Sequence, residues 1–326
     1  MSTEMNKSTV LVSGATGLIA GNLIKKLLTD NDEITIIAMI RSEEKAQRVF
    51  GKFFGDSRLV LLRCNDISES LDIKEKVDYI IHCANPTSSR FFVNNPVETM
   101  QTAFLGTMNM LQLAVKKKVR GMIYLSTMEV YGTPEKGTKV EESNIGTFNP
   151  TNTRNSYPLG KMACENLCYG YSKEYDVPVK IARLTQTFGE GVEYNDGRVF
   201  AEFARCAIEK RDIVLKTKGE TERCYLSVDD AVEAIVTILL NGQNGEAYTV
   251  ANEQTYCSIY DMAQLVAKEY GINVVVEEED ISRFGYADTL YMNLDTARLR
   301  KLGWKAKDNL SDMYKSMIKY MTEYKE

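Results

Sequence analysis

The sequence has 326 residues, of which 44% are hydrophobic and 26% are charged, as in an ordinary soluble protein with a buried core. A net charge of -5 argues against binding to nucleic acid or to an anionic membrane surface. No apolar run reaches the length of a membrane span, and the polar residues 1–8 lack the apolar core of a signal peptide. A cytoplasmic location is therefore expected.

Cysteine and histidine usage excludes several enzyme classes. The seven cysteines form no C-x-x-C pair, so reduced thiols are expected rather than disulfides or a zinc cluster. The single histidine, His82, rules out a histidine-rich zinc centre, and no metal site is predicted. His82 lies inside an apolar strand-like run, which favours packing over catalysis and argues against a Ser-His-Asp hydrolase.

Strand-like and helix-like segments alternate over the first half of the chain. Strands are predicted at Thr9–Ser13, Ile34–Ile40, Leu59–Leu62, Asp78–Cys83, Met122–Ser126 and Val179–Leu184. Helical spacing of apolar residues follows the first strand as far as Leu28, and it recurs over Pro96–Lys118 and Tyr157–Tyr175. Buried strands that alternate with helices predict an α/β fold, a Rossmann-like doubly wound parallel sheet over residues 1–184.

The pattern becomes irregular over residues 185–326, where we expect a smaller C-terminal α+β lobe that binds substrate and is interleaved with the first domain. Short strands are predicted at Ile213–Leu215, Ala247–Val250 and Val274–Val276, and helices at about 197–210, 229–241, 258–270 and 309–324. The acidic run Glu277–Asp280 is predicted to be an exposed loop. This lobe should cover the carboxyl edge of the sheet, where ligands bind in open α/β proteins.

A glycine-rich loop joins the first strand to the first helix and reads G-A-T-G-L-I-A-G from residue 14. Its glycines permit a tight turn, and the amino terminus of the helix presents backbone N–H groups to a pyrophosphate. We therefore expect a nicotinamide dinucleotide to bind at Gly14, Thr16, Gly17, Leu18 and Ile19.

The second strand ends without the carboxylate that usually binds the ribose 2′-hydroxyl of NAD, and Arg41 stands at its tip. Arg41 fits a 2′-phosphate or a stack on the adenine, which leaves NAD and NADP both open. Asp66 and Ile67 after the third strand are placed for an adenine contact, although a turn or helix cap explains Asp66 equally well. Cys83 and Ala84 at the end of the fourth strand, together with Tyr157 and Lys161, complete the expected cofactor contacts.

The candidate catalytic residues are Thr127, Tyr157 and Lys161. Thr127 ends the fifth strand, whereas Tyr157 and Lys161 lie four residues apart and so share one face of a helix. The ammonium of Lys161 is expected to lower the pKa of Tyr157, which would make the tyrosine a general base. Thr127 would orient the same substrate hydroxyl.

Together these motifs resemble the extended short-chain dehydrogenase/reductases of the nucleotide-sugar epimerase/dehydratase family, over nearly the whole chain. The resemblance rests on the glycine loop, Ser126-Thr127, Val130-Tyr131-Gly132, Tyr157, Lys161, Arg183–Gly189, Arg223–Asp230 and Leu294–Trp304. It implies NAD as cofactor, a nucleotide-sugar substrate, and a homodimer formed by the helices near 96–118 and 157–175.

The resemblance also implies a reaction. Tyr157 takes the proton of the sugar 4-hydroxyl while hydride passes to the cofactor, and the resulting 4-keto sugar is epimerised, dehydrated or decarboxylated. The substrate-binding residues that it implies are Thr127, Gln186, Arg198 and Arg223, with Arg223 on the diphosphate.

One departure from the family bears on the reaction. Where 4,6-dehydratases carry Thr-Asp-Glu, this chain has Thr127-Met128-Glu129, and Met128 cannot donate a proton to the departing 6-hydroxyl. UDP-glucuronate decarboxylases have Thr-Ser-Glu and need no such acid, and many 4-epimerases need only the threonine, tyrosine and lysine. Two further departures, Ala103 and Gln186, replace asparagines that are usual in the family.

We therefore expect a 4-epimerase first, with Glu129 as a catalytic carboxylate near the sugar. The alternatives are a UDP-glucuronate decarboxylase, a 4,6-dehydratase that Met128 disfavours, and an NADPH-dependent keto-sugar reductase that Arg41 favours. A non-enzymatic cofactor sensor is disfavoured, because it would need none of Thr127, Tyr157 and Lys161.

Overall fold

The parallel sheet predicted for the first half has seven strands in the computed structural model, which describes residues 5–279 and 289–324. Numbered in chain order over the whole chain, its strands are β1 Thr9–Ser13, β2 Thr35–Ile40, β3 Leu59–Arg63, β4 Tyr79–His82, β5 Gly121–Thr127, β7 Val179–Leu184 and β11 Ala247–Val250. All neighbours pair in parallel, in the order β11-β7-β5-β4-β1-β2-β3.

The helices of the described residues are α1 Leu18–Asp30, α2 Glu43–Phe50, α3 Ser89–Asn94, α4 Pro96–Lys117, α5 Ser156–Glu174, α6 Val199–Glu209, α7 Val228–Asn241, α8 Ile259–Tyr270, α9 Ala297–Arg300 and α10 Leu310–Glu323. None of them combines the length and the apolarity needed to span a bilayer.

The sheet is buried on both faces, which explains the continuous apolar runs of its strands. Val10 and Val12 of β1 belong to one core together with side chains of α1 and α7. Leu11 points to the opposite face and belongs to a second core with side chains of α4 and α5. The fold class predicted from the sequence is thereby confirmed.

One predicted strand lies in a different place from the one expected. Ala247–Val250, expected among the short strands of the smaller lobe, is the edge strand β11 of the large sheet and pairs with β7. Helix α7, which precedes it, packs on the same sheet. The chain thus returns to the large sheet after residue 184, because the apolar faces of both elements are buried only there.

A second sheet of five strands carries the smaller lobe. Its strands are β6 Lys139–Val140, β8 Gln186–Phe188, β10 Glu222–Ser227, β12 Asn252–Ser258 and β14 Tyr291–Leu294. A parallel pair, β9 Ile213–Leu215 with β13 Val274–Val276, lies beside helices α6, α8 and α10 around a third core. Glu277–Glu279 are exposed as predicted, and Asp280 lies outside the described residues.

The position of the functional site follows from the strand order. Strands β2 and β4 lie on opposite sides of β1, and the helices that follow β1 and β4, α1 and α4, pack on opposite faces of the sheet. Such a switch point leaves a crevice that binds ligands in open α/β sheets.

Candidate active site

The glycine loop after β1 forms the first wall of this crevice. Gly14 has a φ of 64°, a left-handed conformation that favours glycine, and its carbonyl accepts a hydrogen bond from the Gly17 N–H at 2.9 Å. Gly17 is the N-cap of α1 and contributes no side chain to the cap, so the first N–H groups of the helix face the crevice. Thr16, Leu18 and Ile19 are partly exposed at the same helix end.

The loop after β4 forms the opposite wall and approaches Gly14 closely. A Cβ atom on Gly14 would lie 2.9 Å from both the Cα and the N of Ala84. Ser13 Oγ accepts the N–H groups of Cys83 and Ala84, each at 3.1 Å, and thereby fixes this loop against β1. Only a glycine at position 14 permits this spacing of the two walls.

His82 supports this loop and is buried, as its sequence position predicted. Its Nδ1 lies 2.7 Å from Ser13 Oγ, and its Nε2 lies 3.1 Å from Thr107 Oγ1. Since Ser13 Oγ already accepts two N–H groups, its own proton points to Nδ1, and the ring proton is then on Nε2. Burial, with the nearby charge of Lys161, lowers the pKa of His82 to about 3, so the ring is neutral.

Asn85, the next residue of the β4 loop, was not singled out by the sequence. Neither its Nδ2 nor its Oδ1 has a hydrogen-bond partner among the residues that the structure describes, although both atoms are buried. Buried amides are normally bonded, so these atoms mark a position where a polar ligand fits.

The predicted adenine end of the crevice is more open. Arg41 is exposed and follows β2 directly. Asp66 Oδ1 accepts the N–H of Ser68 at 2.8 Å and its hydroxyl at 2.7 Å, and these bonds lower the pKa of Asp66. This is the turn-capping role that the sequence left open, while Ile67 is buried against Gly106 of α4.

Thr127 and Tyr157 meet at the carboxyl end of β5. Thr127 is the last residue of β5, and its hydroxyl lies close enough to the Tyr157 hydroxyl to favour the tyrosinate. Tyr157 stands at the start of α5, where Pro158 fits because the first turn of a helix needs no N–H donor. The helix start thus presents the phenol to the strand end.

Lys161 lies one turn further along α5 and is buried. Its Nζ donates to the Leu125 carbonyl at 2.6 Å and lies 4.7 Å from the ring centroid of Tyr124 and 5.9 Å from that of Tyr157. Burial lowers the pKa of Lys161 to about 8.

The pKa of Tyr157 differs from the expectation. Burial raises it well above its usual value, and the Glu129 carboxylate raises it further, whereas the Thr127 hydroxyl and the Arg154 charge lower it. The expected lowering by Lys161 is wrong for this structure, because the ammonium is directed to the Leu125 carbonyl rather than to the phenol oxygen.

Glu129 forms an ion pair that the sequence did not reveal. Arg154 Nη2 donates to Glu129 Oε2 at 2.8 Å, and both side chains are about one-third exposed, 28% and 31%. The Arg154 guanidinium also lies over the ring of Phe92, which stacks on Tyr157. Glu129, Arg154 and Tyr157 therefore form one cluster.

Met128 points into an apolar cluster below the strand end. It is 4% exposed, and its sulfur lies 3.2 Å from the Thr185 hydroxyl. No ionisable group occupies this position.

A buried ion pair supports the strand end from behind. Arg183 of β7 donates to both oxygens of Glu165 on α5, with Nη2–Oε2 at 2.7 Å, and Ser126 donates to Glu165 Oε1 at 2.5 Å. Ser126 precedes Thr127, so the pair fixes the backbone that carries this candidate catalytic threonine.

The predicted substrate residues divide into two groups. Gln186 on β8 and Arg223 on β10 belong to adjacent strands, and Gln186 Oε1 and Arg223 Nε are buried without a hydrogen-bond partner in the described part of the chain. Arg198 is instead held by Asp196, which accepts bonds from its Nε and Nη2. The Asp196 carboxylate therefore offsets part of the positive charge of Arg198.

The comparisons with known proteins agree with this geometry. The model of the NAD dependent epimerase/dehydratase family matches residues 10–251. The chain belongs to this family. Because the matched region contains the glycine loop and Thr127, Tyr157 and Lys161, the resemblance predicted from the sequence is confirmed, and the protein is an enzyme.

Among its curated relatives is UDP-glucuronic acid decarboxylase 1 of Xenopus tropicalis, which is 33% identical over 268 residues, 82% of this chain and 62% of the relative. UDP-glucuronic acid decarboxylase 6 of Arabidopsis thaliana is 34% identical over 237 residues, 72% of this chain and 67% of the relative. The chain thus spans about three-fifths of the first relative's length.

Solved structures of the family share the fold. UDP-glucose 4-epimerase of Thermotoga maritima, solved with UDP-glucose, has a TM-score of 0.82 at 20% identity and covers 98% of this chain and 100% of its own. The dTDP-glucose 4,6-dehydratase of Bacillus anthracis, solved with NAD, has a TM-score of 0.80 at 17% identity, with 97% of each chain covered. At these identities the likeness concerns the fold alone.

Proposed function

We propose that this family member is an NAD-dependent decarboxylase of a nucleotide-linked hexuronic acid. The observation that carries the proposal is the strand end Thr127-Met128-Glu129 beside Tyr157. The groups for oxidising a hydroxyl lie together there, but the acid that dehydration requires is replaced by a buried methionine. The curated relatives described above, which are named UDP-glucuronic acid decarboxylases, support a decarboxylase over the 4-epimerase that we expected first.

The crevice fits a nicotinamide dinucleotide. The close spacing of Gly14 and Ala84, the uncapped start of α1 and the unbonded amide of Asn85 together offer N–H donors and space to a pyrophosphate and its neighbours. When bound, the cofactor supplies the hydride acceptor. Because Arg41 at the tip of β2 is also placed for a 2′-phosphate, calorimetric titration with NAD and with NADP tests the proposed preference for NAD.

In the proposed reaction Tyr157 accepts the proton of the sugar 4-hydroxyl, and Thr127 holds that oxygen. Lys161 Nζ lies 5.9 Å from the ring centroid of Tyr157, and its ammonium favours the tyrosinate only after it turns from the Leu125 carbonyl to the phenol oxygen. Oxidation at C4 makes the C6 carboxylate that of a β-keto acid. The C5–C6 bond then breaks, carbon dioxide leaves, and the bonding pair enters the C4 carbonyl as an enolate that takes up a proton at C5.

Gln186 and Arg223 are the proposed contacts for the nucleotide diphosphate. Arg223 brings a guanidinium, which suits paired phosphate oxygens, and its buried Nε lacks a partner among the described residues. A bound diphosphate would satisfy this donor.

A homodimer is also proposed. Val97, Met100 and Phe104 of α4 are exposed at 68%, 36% and 38% and recur at helical spacing, so they form one apolar stripe on the helix surface. Tyr169 of α5 is exposed as well, at 49%. Light scattering of the wild type and of Met100→Glu tests this: a dimer mass that falls to a monomer mass is expected, and a monomeric wild type would contradict it.

The test of function is incubation with UDP-glucuronic acid, UDP-glucose and UDP-N-acetylglucosamine, each with NAD, followed by mass spectrometry of the products. Loss of carbon dioxide from UDP-glucuronic acid is expected, and Tyr157→Phe should abolish it. A change of sugar stereochemistry without a mass change would instead identify the second candidate, a 4-epimerase, which needs only Thr127, Tyr157 and Lys161.

A further inference from the structure

The turn before α5 is built to hold Arg154 beside the catalytic residues. Arg154 lies in the 3-10 turn Thr153–Asn155, and Asn152 caps the turn by accepting the Arg154 N–H at 3.0 Å. Asn155 Nδ2 donates to the Asn149 carbonyl, also at 3.0 Å. The guanidinium then reaches Glu129, which lies in the turn after β5.

Phe92 of α3 connects Arg154 to Tyr157. The Arg154 guanidinium carbon lies 5.2 Å from the Phe92 ring centroid, and the Tyr157 ring stacks on the same ring at 4.2 Å, with 4° between the planes. Phe92 is buried, so this support cannot move freely. Arginine and tyrosine therefore share one rigid neighbour.

We propose that Arg154 is a positioning residue of the reaction, which holds the Glu129 carboxylate in place and shields the Tyr157 hydroxyl from its negative charge. The proposal rests on the role of Tyr157 as the base, as put forward above. A carboxylate close to a phenol disfavours loss of the phenol proton, because the tyrosinate and the carboxylate repel each other. A nearby cation offsets this repulsion.

Among the charged groups around Tyr157, Arg154 is the cation that offsets the charge of Glu129. Among the described residues, the charged or titratable groups facing Tyr157 are Lys161 from its own helix, Glu129 from the turn after β5, Arg154 from the turn before α5, and Tyr124 from β5. The Thr127 hydroxyl completes the surroundings of the phenol. Lys161 donates to the Leu125 carbonyl, whereas Arg154 is paired directly with Glu129. Removing Arg154 therefore leaves the Glu129 charge unopposed.

The test compares Arg154→Met and Arg154→Lys with Arg90→Met, a control at an exposed arginine of α3. The dependence of kcat and kcat/KM on pH is measured with UDP-glucuronic acid, and thermal unfolding checks that each variant is folded. Arg154→Met should move the acid limb of kcat/KM about one unit to higher pH, because a nearby opposite charge shifts a pKa by that order. At pH 7 this shift lowers kcat/KM about tenfold, and most of the decrease lies in kcat.

Arg154→Lys should restore most of the loss, and Arg90→Met should leave the profile unchanged. The double variant Arg154→Met/Glu129→Gln removes both charges, so its acid limb should return towards that of the wild type. An unchanged acid limb in Arg154→Met would overturn the proposal. So would a loss confined to KM, since the guanidinium would then bind substrate. A wild type inactive on every nucleotide sugar would instead refute the proposed function, and this inference with it.

Discussion

Gly14→Ala is the substitution whose effect the structure defines most sharply. The new Cβ would lie 2.9 Å from the backbone Cα and N of Ala84, which cannot rotate away. The left-handed φ of 64° adds about 1 kcal/mol for a residue with a Cβ, and relieving the contact adds about 2 kcal/mol more. We expect a loss of about 3 kcal/mol in the free energy of unfolding, as well as weaker NAD binding because the two walls of the crevice move apart.

Gly271→Ala provides the matched control. Gly271 has a nearly equal φ of 69°, but in the described part of the chain no residue beyond its immediate neighbours comes within 4 Å of a Cβ built on it, so only the backbone cost of about 1 kcal/mol remains. Urea unfolding, followed by the fluorescence of the single tryptophan, Trp304, measures both variants, and calorimetric titration with NAD measures the affinity. Equal stability losses and equal NAD affinities in the two variants would refute the close approach of the β1 and β4 loops.

Two further predictions concern buried charge. Burial lowers the pKa of His82 from an ordinary value of 6.5 to about 3, so the unfolded chain binds a proton more readily than the folded protein. The contribution of the neutral ring to stability is therefore complete above pH 6.5 and is lost as the pH falls towards 3. The unfolding free energy of the wild type should therefore fall by about 1.4 kcal/mol more per pH unit between pH 6 and pH 4 than that of His82→Gln, and parallel curves would contradict the neutral, buried ring. Glu165→Gln leaves Arg183 buried without its counter-charge and should cost about 3 kcal/mol in urea unfolding. Asp30→Asn, at an exposed ion pair with Lys26, should cost less than about 1 kcal/mol, and similar losses in the two variants would show that the buried pair adds no stability.

Much of the large sheet was predictable from the sequence, because parallel strands buried on both faces are continuous apolar runs. The predicted strand Val179–Leu184 coincides with β7, and the glycine loop, Thr127, Tyr157 and Lys161 lie at the ends of elements that local patterns define. The second sheet was missed. Its strand β10 carries polar residues and pairs with β8, β12 and β14, which are distant in the sequence, and β6 has only two residues.

The surroundings of Tyr157 could not be derived from spacing. Phe92 of α3 stacks on the Tyr157 ring, and Arg154 from the turn before α5 lies over Phe92, but no periodic pattern marks either residue. The direction of the Tyr157 pKa depends on burial and on Glu129, both of which are set by tertiary packing. The helical spacing of Tyr157 and Lys161 therefore predicted the pair but not its electrostatics.

The central claim is that hydride leaves C4 of a nucleotide-linked uronic acid while Tyr157 takes the hydroxyl proton. UDP-glucuronic acid deuterated at C4 tests it directly, because hydride transfer carries the label with the bonding electrons, whereas proton abstraction at C4 releases it to water. We predict a slower turnover of the deuterated substrate, no deuterium in the solvent, and no reaction in Tyr157→Phe. Deuterium in the solvent, or equal rates with both substrates together with full activity of Tyr157→Phe, would contradict the proposed oxidation at C4.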